Sequence, residues 1–371
     1  MDFDFSEEQN QLREAVSRWV ERAYTAERRK DILGQGGFSP QASQEMAALG
    51  LYALTVDNRY DGLGYGAVEA MVTMEALGQG LVLEPLVPTL MVTALIQADA
   101  PASMQEEVLP GVASGQRLVT LAYQERGARY LLNRCGTQAT LGASGHVLSG
   151  TKHLVSLCDQ AHTFVVPALL DGQIALFLVQ ADAPHLQRSG YQTQDGSRAG
   201  DLLLDNTPGT LISRQGQALL ELALDVGIAA VCAQGVGIMD RALSLTVEYM
   251  KTRQQFGAPI ASFQALRHRV ADMKMQVELA RAMSYYATLK LEAPADERRQ
   301  ATSRAKYQLG QSMRFVGQQA VQLHGGIGVT HEAIISHCFK TLTQLEMTFG
   351  DSLHHLGEVS ERMQASAGVF S

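Results

Sequence analysis

Several residue groups in this chain could do chemistry by type and spacing. Gly62 to Gly66 reads GLGYG and precedes the helical run Val68 to Leu77. A glycine-rich loop that opens a helix can cradle phosphate on its backbone N–H groups. This one follows no clear βαβ pattern, so a tight connection between packed helices is the simpler reading. His354 and His355 form a pair that invites metal or acid–base roles. Adjacent residues on a helix point about 100° apart, so the two rings do not readily share one ion and a structural role is favoured. Cys135, Cys158, Cys232 and Cys338 lack CxxC spacing, which indicates neither a zinc site nor a disulfide framework, and predicts buried free thiols. Arg253, taken alone, reads as a solvated charge at a helix end.

The elements that must carry these residues follow from periodicity. Ser6 with Glu7, Glu8 and Gln9 has the form of a capping box, and Leu12, Ala15, Val16, Trp19 and Val20 recur at helical spacing. A second helix is expected from about Pro40. Val119 to Tyr123, His146 to Leu148, Thr163 to Val166 and Ile174 to Val179 are β-rich runs separated by Gly, Asp and Pro. Helical periodicity returns over Ala218 to Arg253, Phe263 to Leu291, Glu297 to Leu323 and Ile334 to Thr343. Pro110-Gly111 and Gly209 to Gly216 mark the boundaries. The expected division is an N-terminal α-helical domain over 1–115, a β domain over 116–213 and a C-terminal helical bundle over 214–371.

The bulk properties bound the partners. The chain has 371 residues, 46% hydrophobic and 18% charged, the balance of a globular protein with two or three packed units. A net charge of −8 argues against a general nucleic-acid surface. Met1 to Phe5 shows neither a basic n-region nor an apolar h-region, and the apolar runs break at Gly, Gln or Asp short of a membrane span. A cytoplasmic protein is expected.

Tyr249 to Gln264 reads YMKTRQQFGAPIASFQ, and Gln322 to Thr330 reads QLHGGIGVT. Both stretches, in this order, resemble signatures of the acyl-CoA dehydrogenase family. The opening DFSEEQ and the run GLYALTVDNRYDGLGYG resemble its first helical domain, so the likeness covers essentially the whole chain. It implies a mainly α fold with a small β-barrel, ordered as α domain, β domain and four-helix bundle. It also implies FAD as cofactor and an acyl-CoA substrate. Arg253 would reach the FAD pyrophosphate of a neighbouring subunit, where a guanidinium fork can satisfy several oxygens at once. Phe256, Gln264 and Gln322 would line the same cofactor, and Gly325 and Gly326 would let the loop approach its adenosine half because no Cβ intervenes.

The sequence also departs from that pattern. Where relatives carry a Thr-Glu-Pro-Gly run that holds the isoalloxazine ring and pyrophosphate, the matching stretch is Tyr123 to Tyr130, which keeps Glu125 and Gly127. The later Trp-Ile-Thr corresponds to Leu154-Val155-Ser156, leaving Leu154 for apolar contact and Ser156 for a hydroxyl at the ring edge. Family dehydrogenases remove the α-proton with a glutamate as hydride leaves for the flavin. Counting from Gln322 through Lys340 places that glutamate at Phe349, followed by Gly350. The alternative position on the long helix is Gly227, with neutral Gln234 at i+7. Asp351 is the first candidate for a displaced acid, ahead of Glu346 and Glu248, although solvated surface carboxylates are the default for all three.

Some members of the family are heteromers in which one partner alone has the base. The run Gly190-Tyr191 to Asp195-Gly196 and the ending Phe339 to Asp351 with His354-His355 resemble the shorter partner of such pairs. The reading is an α,β-dehydrogenase subunit for a bulky acyl-CoA, such as a fatty acyl or steroid side-chain thioester. It would complete a FAD site shared with a second subunit, assemble as a dimer or tetramer, and pass electrons to electron-transfer flavoprotein or a similar acceptor. Two alternatives stand beside it: an inactive binding or scaffold protein, and an active homo-oligomer using Asp351.

Overall fold

A computed structural model describes residues 5–142 and 145–367, with side chains to 363. The chain begins with α1 (Glu7–Ala23), α2 (Ala26–Gly34), α3 (Pro40–Ala48), α4 (Ala67–Gln79), α5 (Leu86–Asp99) and α6 (Ala102–Ala113). Strands β1 (Val119–Leu121), β2 (Gln138–Gly142), β3 (Gly145–Ser156), β4 (Thr163–Leu170), β5 (Gln173–Gln180), β6 (Leu186–Gln192) and β7 (Arg198–Ser213) follow. After α7 (Gly216–Thr252) come the two-residue strands β8 (Gln254–Gln255) and β9 (Ala258–Pro259). Helices α8 (Gln264–Leu289), α9 (Ala295–His324), α10 (Ile334–Met347) and α11 (Ser352–Ala367) complete it. The mainly α fold with a small barrel is as expected from the sequence.

Two compact units form. One gathers the chain up to Arg29 with Ala67–Val82 and everything from Ile228; the other gathers Lys30–Gly66 with Leu83–Gly227. In the first unit α1 lies on α4, while α8, α10 and α11 pack around α9. The capping box is real: Gln9 N donates to Ser6 Oγ at 3.1 Å and Ser6 N to Gln9 Oε1 at 2.9 Å, worth about 1 kcal/mol to the helix start. The buried face of α9 repeats as Thr302, Ala305, Leu309, Met313, Val316 and Ala320. Its small members allow the neighbouring helices to approach closely. Arg281 of α8 holds Glu75 of α4 and Asp240 of α7 together.

In the second unit the strand order β4-β2-β3-β7-β5 closes through β4–β5 into a five-stranded barrel, with β1 beside β4 and β6 beside β7. Closure removes the open edges that would otherwise invite pairing with other chains. Phe164, Phe177, Leu148, Val166 and Leu202 fill its core and are fully buried. Burying each such side chain contributes about 2 kcal/mol.

Helix α7 corrects one sequence expectation. Its most apolar 18-residue window has mean hydropathy 1.8, so by length and composition this helix could cross a membrane. Gly227, Gln234 and Gly237 interrupt the apolar run without ending the helix. Since 83% of that window is buried in the chain's own fold, it behaves as a core helix.

Candidate functional site

The first site element grows from the end of α7. Arg253 N donates to Tyr249 O at 2.8 Å, and Ile260 N donates to Arg253 O at 2.8 Å. Together they close a hairpin in which Gln254 pairs with Pro259 and Gln255 with Ala258. The two turn residues, Phe256 at φ 54° and Gly257 at φ 79°, both have positive φ, as a type I′ turn requires. Phe256 is 93% exposed and meets Phe263 edge-on at 6.0 Å. A large apolar ring in a left-handed conformation, on a turn that favours Asn or Gly, is not explained by packing within this chain. Arg253 is exposed, and Gln264 is the exposed first residue of α8.

The second element is the end of α9. Gly325 ends the helix at φ 64°, its N–H returning to Gln322 O and Val321 O, and the exposed Gly325-Gly326 pair opens a short 3-10 turn. A Cβ added to either glycine would meet nothing within 4 Å. Their smallness therefore leaves an open approach to the backbone rather than relieving an internal clash. Gln322 lies exposed one turn back. The His324 ring stacks on Tyr249 at 4.5 Å, and its Nδ1 donates to Ala320 O at 2.8 Å. Burial holds this imidazole below its usual range. Because Tyr249 lies four residues before Arg253, the stack brings the hairpin and the glycine pair to the same end of the unit.

The third element, also in this unit, is the loop between α10 and α11. Phe349 has φ 61° and Gly350 φ 118°. The Lys306 ammonium, fully buried, donates to Glu346 O and Gly350 O, both at 2.8 Å. His355 Nε2 lies 3.1 Å from Phe349 O, and a carbonyl can only accept, so Nε2 carries the proton. Burial pushes Lys306 down to about 8 and His355 down to about 2, the latter helped by Lys306, His354 and Arg299. A Cβ on Gly350 would lie 2.6 Å from both His354 Cδ2 and His355 Nε2, so only glycine fits.

Acids near this loop have structural partners. Asp351 Oδ1 accepts from His354 N at 2.8 Å and so caps α11. Buried Glu346 accepts from Ser352 N at 3.1 Å and Ser352 Oγ at 2.7 Å, and Arg314 lies 3.3 Å away. Glu248 is exposed on α7, Gly227 is buried, and Gln234 is half-buried.

In the second unit, Leu154 occupies a bulge between Lys152 and Val155 of β3, at φ 52° and 60% exposed. Bulges re-aim side chains in this way. Asp201 of β7 stands opposite, accepting from Leu154 N at 3.4 Å and Tyr191 Oη at 3.1 Å and pairing with His153 Nδ1 at 3.0 Å. Ser156, half-buried, pairs with Ala199. Glu125 accepts from Lys152 Nζ at 2.5 Å, Thr137 Oγ1 at 2.6 Å and Gly136 N at 2.5 Å. Burial would raise its carboxyl, but the Lys152 charge and these donors outweigh it and hold the group at about 2.

The domain description "Acyl-CoA dehydrogenase, N-terminal domain" matches residues 6–116, and "Acyl-CoA dehydrogenase, C-terminal domain" matches 214–364. The chain belongs to the acyl-CoA dehydrogenase family. A probable acyl-CoA dehydrogenase of Bacillus subtilis, YngJ, is 28% identical over 95% of this chain and 97% of its own length. A solved variant of the Tcur3481-Tcur3483 steroid ACAD is 30% identical, covering 97% of this chain and 99% of that one, with a TM-score of 0.89. The ChsE4-ChsE5 complex of Mycobacterium tuberculosis is 25% identical over 99% of each chain, with a TM-score of 0.90. This acyl-CoA dehydrogenase family member is thus an oxidoreductase by descent.

Three features of the site escaped sequence reasoning. Lys306 is, with Arg299, one of two cations on the mostly small and apolar buried face of α9, and that mismatch was the readable signal. The roles of His355 and of the Tyr249–His324 stack depend on partners distant in sequence, which periodicity does not disclose.

Proposed function

We propose that this chain is the base-lacking subunit of a heteromeric, FAD-dependent acyl-CoA dehydrogenase, completing a flavin site shared with an unlike chain. The observation that carries the reading is a contrast within one unit. The elements that would be lent to a neighbour, Arg253, Phe256, Gln264, Gln322, Gly325 and Gly326, lie on an exposed face with open space over both glycines. Phe349 meanwhile stands where the family's glutamate is expected, and Asp351 and Glu346 cap α11. The unlike-subunit reading is also supported by likeness to the ChsE4-ChsE5 complex.

The residues fit FAD. Arg253 would take the pyrophosphate, the glycine pair would admit the adenosine half, and Phe256 with Gln264 would line the cofactor. Leu154 and Ser156 would form this chain's reduced contribution to its own side. When bound, FAD would supply the hydride acceptor. The partner would supply the carboxylate that takes the α-proton of an acyl-CoA, and electron-transfer flavoprotein or a similar acceptor would reoxidise the pair. Asp351 is disfavoured as base because moving its carboxylate would uncap α11. The expected division into domains at 116 and 214 and a cytoplasmic setting belong to the same proposal.

The test is co-expression with the product of an adjacent reading frame that bears the missing glutamate. The complex should be yellow and should bleach on anaerobic mixing with acyl-CoAs, whereas this chain alone should not bleach. Bleaching by the chain alone, abolished in Asp351→Asn, would replace the heteromer with a homo-oligomer. Colourless protein from both preparations would overturn the flavin assignment.

A further inference from the structure

A thiol, a buried amine and a carboxylate converge beneath the segment that leads into β2. Cys135 Sγ lies 3.6 Å from Glu125 Oε1 and 3.8 Å from Lys152 Nζ, while Lys152 Nζ lies 2.5 Å from the same carboxylate oxygen. Lys152 is fully buried and Cys135 half-buried. A cleft of about 10 Å³, lined by Tyr123, Arg129, Leu132, Cys135 and Pro167, reaches the thiol. That is room for roughly one water-sized molecule. The sulfur is further confined by Pro167 O at 3.5 Å and Thr137 O at 3.7 Å.

We propose that Cys135 and Lys152 are a peroxide-sensitive pair that becomes covalently joined through one bridging oxygen, as Sγ–O–Nζ. A direct S–N bond would need the atoms to close by about 2 Å, whereas an inserted oxygen needs roughly half that movement. One thiol, one amine and two molecules of hydrogen peroxide give the S–O–N link and three molecules of water. Four electrons pass from sulfur and nitrogen to the peroxide oxygens, and the thiol proton and one amine proton leave in water. The extra proton of the ammonium passes to Glu125, which already accepts its hydrogen bond. Once the Lys152 charge is gone, burial favours the protonated carboxyl, so Glu125 can keep that proton.

Burial raises the Cys135 thiol, with Lys152 opposing and Glu125 reinforcing the effect, so the pair responds to sustained rather than trace peroxide. The link fastens β3 to the segment Glu125–Thr137. The segment begins within Tyr123 to Tyr130, the stretch that corresponds to the family loop expected to hold the isoalloxazine ring and pyrophosphate, so a link at Cys135, five residues beyond it, would restrict this chain's own side of the shared site. This consequence rests on the proposed flavin function; the link itself does not.

Peptide mapping of the purified full chain after peroxide treatment tests the chemistry, with or without flavin present. The Cys135 and Lys152 peptides should appear joined, about 14 Da heavier than their sum, and dithiothreitol should separate them. Cys135→Ser, which keeps size and polarity, should give no joined peptide. Separate peptides with about 16 or 32 Da on Cys135 alone, a joined pair about 2 Da lighter than the sum, or unmodified peptides would each overturn the oxygen bridge. Joined peptides without any change in flavin retention would leave the link standing and remove its regulatory consequence.

Discussion

At positions 349 and 350 residues of two helices hold the backbone. His355 takes the carbonyl of Phe349 and Lys306 takes that of Gly350, and neither contact involves the phenyl ring. Gly350→Ala should therefore be costly, by about 2–4 kcal/mol, because a Cβ meets both histidines in a conformation only glycine adopts easily. Urea unfolding would measure it, and a loss under about 0.5 kcal/mol would show the loop free to move. The sign of the pH effect follows from His355. Folding lowers its pKa from the ordinary 6.5 to about 2, so between these values the unfolded chain binds the extra proton. Stability from the neutral buried ring is fully present above the unfolded value and declines as pH falls below it, by about 1.4 kcal/mol per unit. His355→Gln keeps a donor but does not titrate. It should be less stable than the natural protein at about pH 7.5, with the gap narrowing toward about pH 4.5; a gap that stays constant would assign the acid sensitivity elsewhere.

The β8–β9 hairpin shows the same tension at the scale of an element. Its type I′ turn would favour Asn at position 256, yet the chain places there a phenylalanine that is almost wholly exposed. Phe256→Asn should leave stability unchanged or raise it by about 0.5 kcal/mol while flavin retention by the co-expressed complex falls. Full retention would remove Phe256 from the cofactor site. Arg253→Ala should likewise cost little stability, because the side chain is exposed, but should weaken flavin binding about tenfold or more, with Arg253→Lys restoring only part of it. Gel filtration followed by absorbance at the flavin band reads both variants. Helices α8 and α9 were legible in the sequence because their buried stripes repeat over many turns, and α7, buried nearly all round along its apolar window, was legible as a long run without proline. Helices α2, α5, α6 and α11 were not singled out. Helix α2 is short and rich in charge, Gly357 interrupts α11, and the nearly continuous burial of α5 erases its period. Strand β7 was missed for another reason: it pairs with three different strands, so no single alternation runs along it. Arg253 and the glycine pair were legible only through family likeness, since each alone is an ordinary surface residue.

For the whole molecule, the proposed shared site would draw unequally on this chain's lent residues and on its own-side residues. The hairpin and glycine pair are laid out in full on an exposed surface, whereas on this chain's own side Leu154 stands where an aromatic ring is expected and Ser156 keeps only a smaller hydroxyl residue. A site assembled from this chain's lent half and a partner's complete half should bind FAD. The reciprocal site, assembled from the partner's lent half and this chain's reduced half, should not. Native mass spectrometry of the co-expressed complex should then find one FAD for every two chains, whatever the total number of subunits. Arg253→Ala in this chain should empty those sites, while the equivalent change in the partner should leave them filled. One flavin per chain would mean that Leu154 and Ser156 suffice for binding, and the asymmetry inferred from them would have to be abandoned.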